Sequence, residues 1–170
     1  MRYRHIKSPV GQLLLAGDEQ GLKYIGFPQG KGKVSPQDSW QLDTEFFRDT
    51  ELQLSEYFAG KRKSFDLKLA PTGTPFQLAV LEALQTIPLG ETRSYLDIAR
   101  QIGKPDAVRA VGAANGRNPL PIVIPCHRVI GSDGSLTGFG GGLETKLFLL
   151  ELEAVKLNQT IQNNFCLLYT

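Results

Sequence analysis

The stretch that decides the reading is Asn118-Pro119-Leu120-Pro121-Ile122-Val123-Ile124-Pro125-Cys126-His127-Arg128-Val129. Ile122, Val123 and Ile124, with Val129 beyond the polar residues, predict a short buried strand. The apolar run ends abruptly at a thiol, an imidazole and a guanidinium. Pro125 fixes its own φ and biases Ile124 towards extended backbone, so Cys126 leaves the strand in a restricted direction. A thiol flanked by His127 and Arg128 is expected to have its thiolate stabilised by positive charge, and the thiolate is the nucleophilic form. The alternative for a free cysteine is packing as a small hydrophobe.

Around this stretch the charge is uneven. Residues 92–128 hold six basic side chains (Arg93, Arg100, Lys104, Arg109, Arg117, Arg128) against Asp97 and Asp106, a surplus of four. The whole chain carries only +2, so the remainder stands at −2. A local basic patch on a near-neutral chain suits phosphate binding. Just upstream, Thr74-Pro75-Phe76-Gln77 has the form of a capping box with proline at the first helical position, and its helix is expected to run to about Ile87. Ser94 repeats the N-cap signal with Asp97 at N3, and Tyr95, Ile98, Ala99 and Ile102 share a face. Gly103 ends that helix, and Asp106 is expected to cap a second one over Ala107–Asn115. Two short helices joined by a glycine-containing turn form a helix-turn-helix pattern. The second helix is nearly flat at Ala107, Ala110, Gly112, Ala113 and Ala114, while Arg109 projects. Small side chains of this kind serve either tight helix packing or close approach to DNA.

Downstream, Gly131–Gly142 is a turn-rich loop lacking the Gly-Lys-Ser/Thr ending of a phosphate-binding P-loop, which argues against nucleotide binding. Leu143, Leu147, Leu150 and Ala154 predict a final helix carrying Glu153. The first half reads as scaffold. Leu13–Ala16 and Leu22–Phe27 form a hairpin after a Ser8–Gly11 turn, residues 40–58 are expected to be an amphipathic helix closed by Gly60, and 64–72 form a strand or extended linker. With 170 residues, 41% of them hydrophobic, the chain has enough apolar side chains for a core. Its two cysteines make no disulfide framework, and with two histidines they leave no zinc-type cluster. Cys166 is expected to be a bystander. No signal-like or membrane-length apolar run is present, which predicts a soluble intracellular protein without membrane contact.

Pro125-Cys126-His127-Arg128-Val129, with Arg109-Ala110-Val111-Gly112, Asn118-Pro119, Thr74-Pro75-Phe76-Gln77, Ser94-Tyr95 and Gly141-Gly142-Leu143, resembles the O6-alkylguanine-DNA alkyltransferase family. The match is dense over residues 73–153 and looser before them. It implies a mixed α/β (α+β) protein. Residues 1–72 would be a ribonuclease-H-like domain with a three-stranded antiparallel sheet and a helix. Residues 73–170 would be a winged-helix-like domain carrying the helix-turn-helix.

The resemblance also implies single-turnover DNA repair without a cofactor or metal. A monomer would bind duplex DNA in the minor groove with little sequence preference and flip out O6-methylguanine, or O4-methylthymine, before alkyl transfer to its own cysteine. Cys126 would be the acceptor, His127 a base acting through water, Glu153 the group orienting His127, and Asn118 a hinge. Tyr95 would crowd the phosphate and contact the guanine, and Arg109 would replace the extruded base. Ser94, Ala110, Gly112, Asn115 and Arg128 complete the expected DNA-contacting set, and Pro121, Val129, Phe139 and Gly140 the pocket walls with Tyr95. A cytoplasmic location would follow, on the nucleoid in a prokaryote or in the nucleus of a eukaryote. Family members often carry serine or alanine where Gly140 stands, and the cysteines for the zinc of some relatives are absent. The competing readings are a helix-turn-helix regulator whose cysteine merely packs or senses oxidants, and a Cys-His hydrolase.

Overall fold

The computed structural model describes residues 1–155, so Cys166 and the tail beyond it lie outside the described part. Strands β1 (Arg2–Ile6), β2 (Leu13–Asp18) and β3 (Gly21–Gly26) form an antiparallel meander; the apolar runs and turn residues predict its β2–β3 hairpin, and the family resemblance implies the third strand. A two-residue strand, β4 (Gln41–Leu42), adds to the edge in parallel with β1, giving the order β3-β2-β1-β4. That edge changes the expected helix over 40–58: helix α1 begins only at Arg48 and runs to Phe58. The reason is local. Gln41 and Asp43 donate their backbone N–H groups to the carbonyls of Met1 and Tyr3, and the Asp43 carboxylate accepts the N–H of Phe46 in a turn that competes with helix.

Residues 64–72 make no regular strand. Lys68 and Ala70 instead bracket Leu22 through two 2.8 Å backbone bonds, and buried Gln53 of α1 pairs with both backbone groups of Asp66 at 2.9 Å. Helix α2 (Pro75–Leu84) opens with the expected Thr74–Gln77 capping box, and α3 (Tyr95–Gln101) with a Ser94–Asp97 box. Helix α4 spans Val108–Gly116 and departs from expectation at its start. Ala107 occupies the N-cap with no side-chain bond, and Asp106 is exposed. Strand β5 (Arg93–Ser94) pairs in parallel with β6 (Val129–Ile130), and α5 covers Leu143–Leu152. One apolar core runs from Leu13, Leu15 and Leu54 through Leu84 and Val111 to Ile124 and Leu149, so both halves share it. Among the described residues no helix is long and apolar enough to cross a membrane.

The mixed α/β architecture agrees with the sequence, but the central stretch does not form its expected strand. Pro119, Pro121 and Pro125 cannot donate to a ladder, and Ile122 sits at φ 75°. The chain coils instead: Asn118 accepts the N–H of Leu120 at 2.9 Å and donates to the Ile124 carbonyl at 2.8 Å, while Ile124 donates to Leu120. Pro125, at φ −80° and ψ 65°, is the centre of an inverse γ-turn closed by the Cys126 N–H on the Ile124 carbonyl. A single 3₁₀ turn over Cys126–Arg128 follows, and only then does β6 begin.

Helix α5 ends in a Schellman motif, with Val155 donating to the Leu150 carbonyl and Ala154 to Glu151. Ala154 holds the left-handed position at φ 58°, which α1 and α3 give to Gly60 and Gly103. Ala154 is exposed, so Ala154→Gly removes strain without losing buried surface. It is expected to stabilise the protein by about 1 kcal/mol, raising Tm by about 2–4 °C in a thermal melt. An unchanged or lower Tm would show that the strain is absorbed elsewhere.

Candidate functional site

The coiled segment delivers Cys126 to the floor of a cleft of about 190 Å³ between the two halves of the chain. One wall comes from Asn115, Asn118, Pro121, Phe139 and Gly140, and the opposite wall from Tyr24, Phe27, Lys31, Gly32 and Val34. The second wall was not legible in sequence, because nothing local says that the 28–34 loop reaches the 138–142 loop. Three contacts hold them together. Gly32 donates to the Gly140 carbonyl at 2.9 Å, Ile25 donates to Pro119 at 2.9 Å, and the Phe27 and Phe139 rings meet edge-on at 5.5 Å. A side chain at Gly32 would stand 2.9 Å from Gly140 backbone, so this approach requires glycine. Pro121, Phe139 and Gly140 line the cleft as expected, whereas Val129 is fully buried behind it. Tyr95 is also off the lining; its hydroxyl bonds to the Thr137 hydroxyl.

Cys126 is 4% exposed. Burial pushes its thiol up to about 11, against the opposing influence of the Asn118 amide and the Lys146 ammonium. This corrects the expectation of a thiolate held by His127 and Arg128. Both neighbours turn away, to Glu153. The cation that does act on the thiol is Lys146, fully buried and donating to the carbonyls of Val129 at 2.7 Å and Thr137 at 3.3 Å. Burial brings Lys146 down to about 8. A signal for it exists in the sequence: position 146 falls on the apolar face marked by Leu143, Leu147 and Leu150, where a lysine is out of place.

Glu153, the residue after α5, accepts four hydrogen bonds in the core. Arg128 Nε donates to Oε1 at 2.7 Å and Arg128 Nη2 to Oε2 at 3.1 Å. Tyr57 Oη donates to Oε2 at 2.5 Å, and His127 Nε2 lies 2.7 Å from the same oxygen. Burial disfavours this carboxylate, but the hydrogen bonds from His127 and Arg128 outweigh it and hold the group at about 2. Burial likewise keeps His127 below its ordinary value, and so neutral. A carboxylate can only accept, so the proton sits on Nε2 and Nδ1 is the free base. Nδ1 is buried and has no hydrogen-bond partner. A neutral imidazole nitrogen without a partner, on the residue next to a thiol, is equipped to take a proton through one water.

Two residues expected at a DNA-facing surface are buried here. Arg128, 7% exposed, donates from its third nitrogen, Nη1, to the Ile87 carbonyl at 2.7 Å, and Asn115 donates weakly to the Cys126 carbonyl at 3.4 Å. An unpaired guanidinium in the core would cost several kcal/mol, so the Glu153 pairing takes precedence over any surface role. Ser94 is spent on capping α3, and Gly112 faces the Tyr95 ring, to which an added Cβ would come within 3.8 Å. What remains exposed on α4 is one face of Arg109, Ala110, Ala113, Gly116 and Arg117. Among the described residues no group of three or more His, Cys, Asp or Glu side chains could hold a metal.

Comparison with known proteins gives a consistent result along the chain. The family model "6-O-methylguanine DNA methyltransferase, ribonuclease-like domain" matches residues 1–71, and "6-O-methylguanine DNA methyltransferase, DNA binding domain" matches residues 75–155. A methylated-DNA–protein-cysteine methyltransferase of Methanosarcina acetivorans is 58% identical over 153 residues, covering 90% of this chain and 98% of its own length. The constitutive methylated-DNA–protein-cysteine methyltransferase of Bacillus subtilis is 45% identical, covering 92% and 98%. Among solved structures, Mycobacterium tuberculosis OGT in complex with DNA is 50% identical and superposes with a TM-score of 0.86 over 91% of this chain and 93% of that one.

Proposed function

Since the chain belongs to the 6-O-methylguanine DNA methyltransferase family and is a DNA-repair methyltransferase acting on a protein cysteine, we propose that Cys126 is the methyl acceptor and that the cleft receives a flipped base. The observation that carries this assignment is the unpartnered His127 Nδ1 beside a buried thiol whose own pKa, about 11, leaves it protonated. His127 takes the thiol proton through a water, and sulfur attacks the methyl carbon. The S–C bond forms as the C–O6 bond breaks, and the electron pair passes to the guanine oxygen, which is then protonated. We assign the donor there to Tyr95, whose phenol burial keeps protonated and whose hydroxyl exchanges its Thr137 partner for the base. Asn118 fixes the turn that presents the sulfur, and Pro121, Phe139 and Gly140 flank the base. O4-methylthymine offers the same leaving group and falls within the proposal.

The product is a thioether, and no group in the site is placed to hydrolyse it, so each molecule acts once. Extrusion is required because O6 lies inside the base stack. The flat face of α4 supports minor-groove binding, since a groove about 6 Å wide admits backbone flanked by alanine and glycine more readily than long side chains. Arg109, exposed on that face, fills the space that the base leaves. We divide the chain at residues 72 and 73, a reading supported by the gap between family matches over 1–71 and 75–155. DNA carrying isotopically labelled O6-methylguanine tests the whole scheme: label moves to protein, with at most one equivalent per chain. A regulator would leave it on DNA, and a hydrolase would release it.

Arg109→Ala separates extrusion from chemistry. On duplex substrate, single-turnover transfer is expected to fall by about 10–100-fold, matching a few kcal/mol of unstacking at about tenfold per 1.4 kcal/mol. Reaction with the free modified base is expected to stay within about twofold, because Arg109 is exposed and does not line the cleft that holds Cys126. Equal losses on both substrates would remove Arg109 from the extrusion step.

A further inference from the structure

We propose that Tyr57 is a positioning residue for methyl transfer, supplied by the first half of the chain, and that its hydroxyl tunes the proton affinity of His127 through their shared partner Glu153. This deepens the assignment of Cys126 and His127 and rests on it. Tyr57 lies on α1, 2% exposed, packed against Phe58 at 5.3 Å and Phe65 at 5.4 Å between ring centroids. A phenylalanine would fill that space equally well. The added hydroxyl must be hydrogen-bonded to be tolerated in the core, and its partner is Glu153 Oε2, the oxygen that faces His127 Nε2.

Sharing one oxygen between two donors couples them. Each hydrogen bond draws negative charge from Oε2, so the phenol makes Glu153 a weaker acceptor for the imidazole and disfavours the imidazolium. Burial, and then the Glu153 charge, raise the phenol's pKa, so it acts as a donor at every working pH. The charged and titratable groups around His127 are Glu153 and Lys146 from α5 and its end, Arg128 and Cys126 from its own turn, and Tyr57 from α1. Of these, Tyr57 alone comes from the half that sequence reading treats as scaffold. Losing its hydroxyl leaves Oε2 to His127 and Arg128. The carboxylate then favours the imidazolium more strongly, and its direction is fixed by one bond fewer.

The chain has two histidines, so imidazole NMR on the full-length protein reads His127 with exposed His5 as an internal reference. In Tyr57→Phe the His127 midpoint is expected to rise by about 0.5–1 pH unit, the size of one hydrogen bond's net contribution, with His5 unmoved. The acid limb of single-turnover transfer from O6-methylguanine DNA should move up by the same amount, the plateau rate should fall about 3–10-fold, and DNA affinity should hold. Should Tyr57→Phe fail to fold, 3-fluorotyrosine placed at position 57 tests the same coupling. As the stronger donor, it should move the midpoint down. A midpoint and acid limb that stay fixed in a folded, active variant would overturn the role of Tyr57, even if stability falls. Wild-type protein that leaves label on the DNA would overturn the methyl-transfer reading instead.

Discussion

Cys126→Ser is expected to reduce methyl transfer to background while leaving affinity for duplex DNA within about twofold, because Cys126 is buried on the cleft floor and the exchange of sulfur for oxygen leaves the exposed side chains of α4 unchanged. The size of the loss follows from proton affinity. With the thiol at about 11, roughly one molecule in 10⁴ carries a thiolate at pH 7, so the wild-type reaction already depends on proton removal during the attack. An alcohol in the same burial gives up its proton still less readily, and each further pK unit costs about tenfold in nucleophile. Neutral His127 Nδ1 is too weak a base to close that gap. Peptide mass analysis of wild-type protein after reaction should find the added methyl on Cys126 and none on Cys166, the one other cysteine. A methylated Cys166, or residual transfer by Cys126→Ser above about 1% of wild type, is incompatible with the assignment.

The second large effect is expected at Glu153. Glu153→Ala strands the Arg128 guanidinium in the core and removes the acceptor for Tyr57 and His127. Breaking one partner out of a buried ion pair costs about 3–5 kcal/mol, a large part of a domain's total stability. The variant should melt far below wild type and transfer no methyl. Glu153→Gln keeps the shape and isolates the charge through pH. The folded pKa, about 2, lies below the ordinary 4.5, so ionised Glu153 stabilises the fold above about pH 4.5, and this contribution is lost as pH falls towards 2. Wild-type stability should therefore decline steeply across that window, and Glu153→Gln should decline less. Parallel acid profiles for the two proteins would show that the carboxylate's charge contributes little.

How much of this was readable in advance differs from element to element, and the differences have causes. The capping boxes at Thr74 and Ser94 were readable because a hydroxyl at N-cap and its partner at N3 lie three residues apart, within one helical turn. The β2–β3 hairpin was readable for the same reason of range. The start of α1 is not readable because its apolar spacing continues upstream into residues that bond instead to β1, and helical periodicity does not reveal a sheet edge. Arg128 stands among the expected DNA contacts because a basic residue beside a nucleophile looks the same in sequence whether it faces solvent or a buried carboxylate 25 positions away.

The sequence alone determined the capped helices of the helix-turn-helix pattern, the family likeness that implies the mixed α/β class, and Cys126 with His127 as the candidate chemical centre, since each rests on residue types a few positions apart. Only the tertiary structure decided the rest. It replaced a strand by a proline-rich coil with Ile122 at positive φ, and it brought Tyr57, Arg128 and Glu153 together. It also built one wall of the cleft from β3 and the loop after it and gave the buried thiol Lys146 as its nearby cation. The physical reason is desolvation. What a charge or hydroxyl does in the core is set by which partners meet it once water is gone, and here those partners come from both halves of the chain.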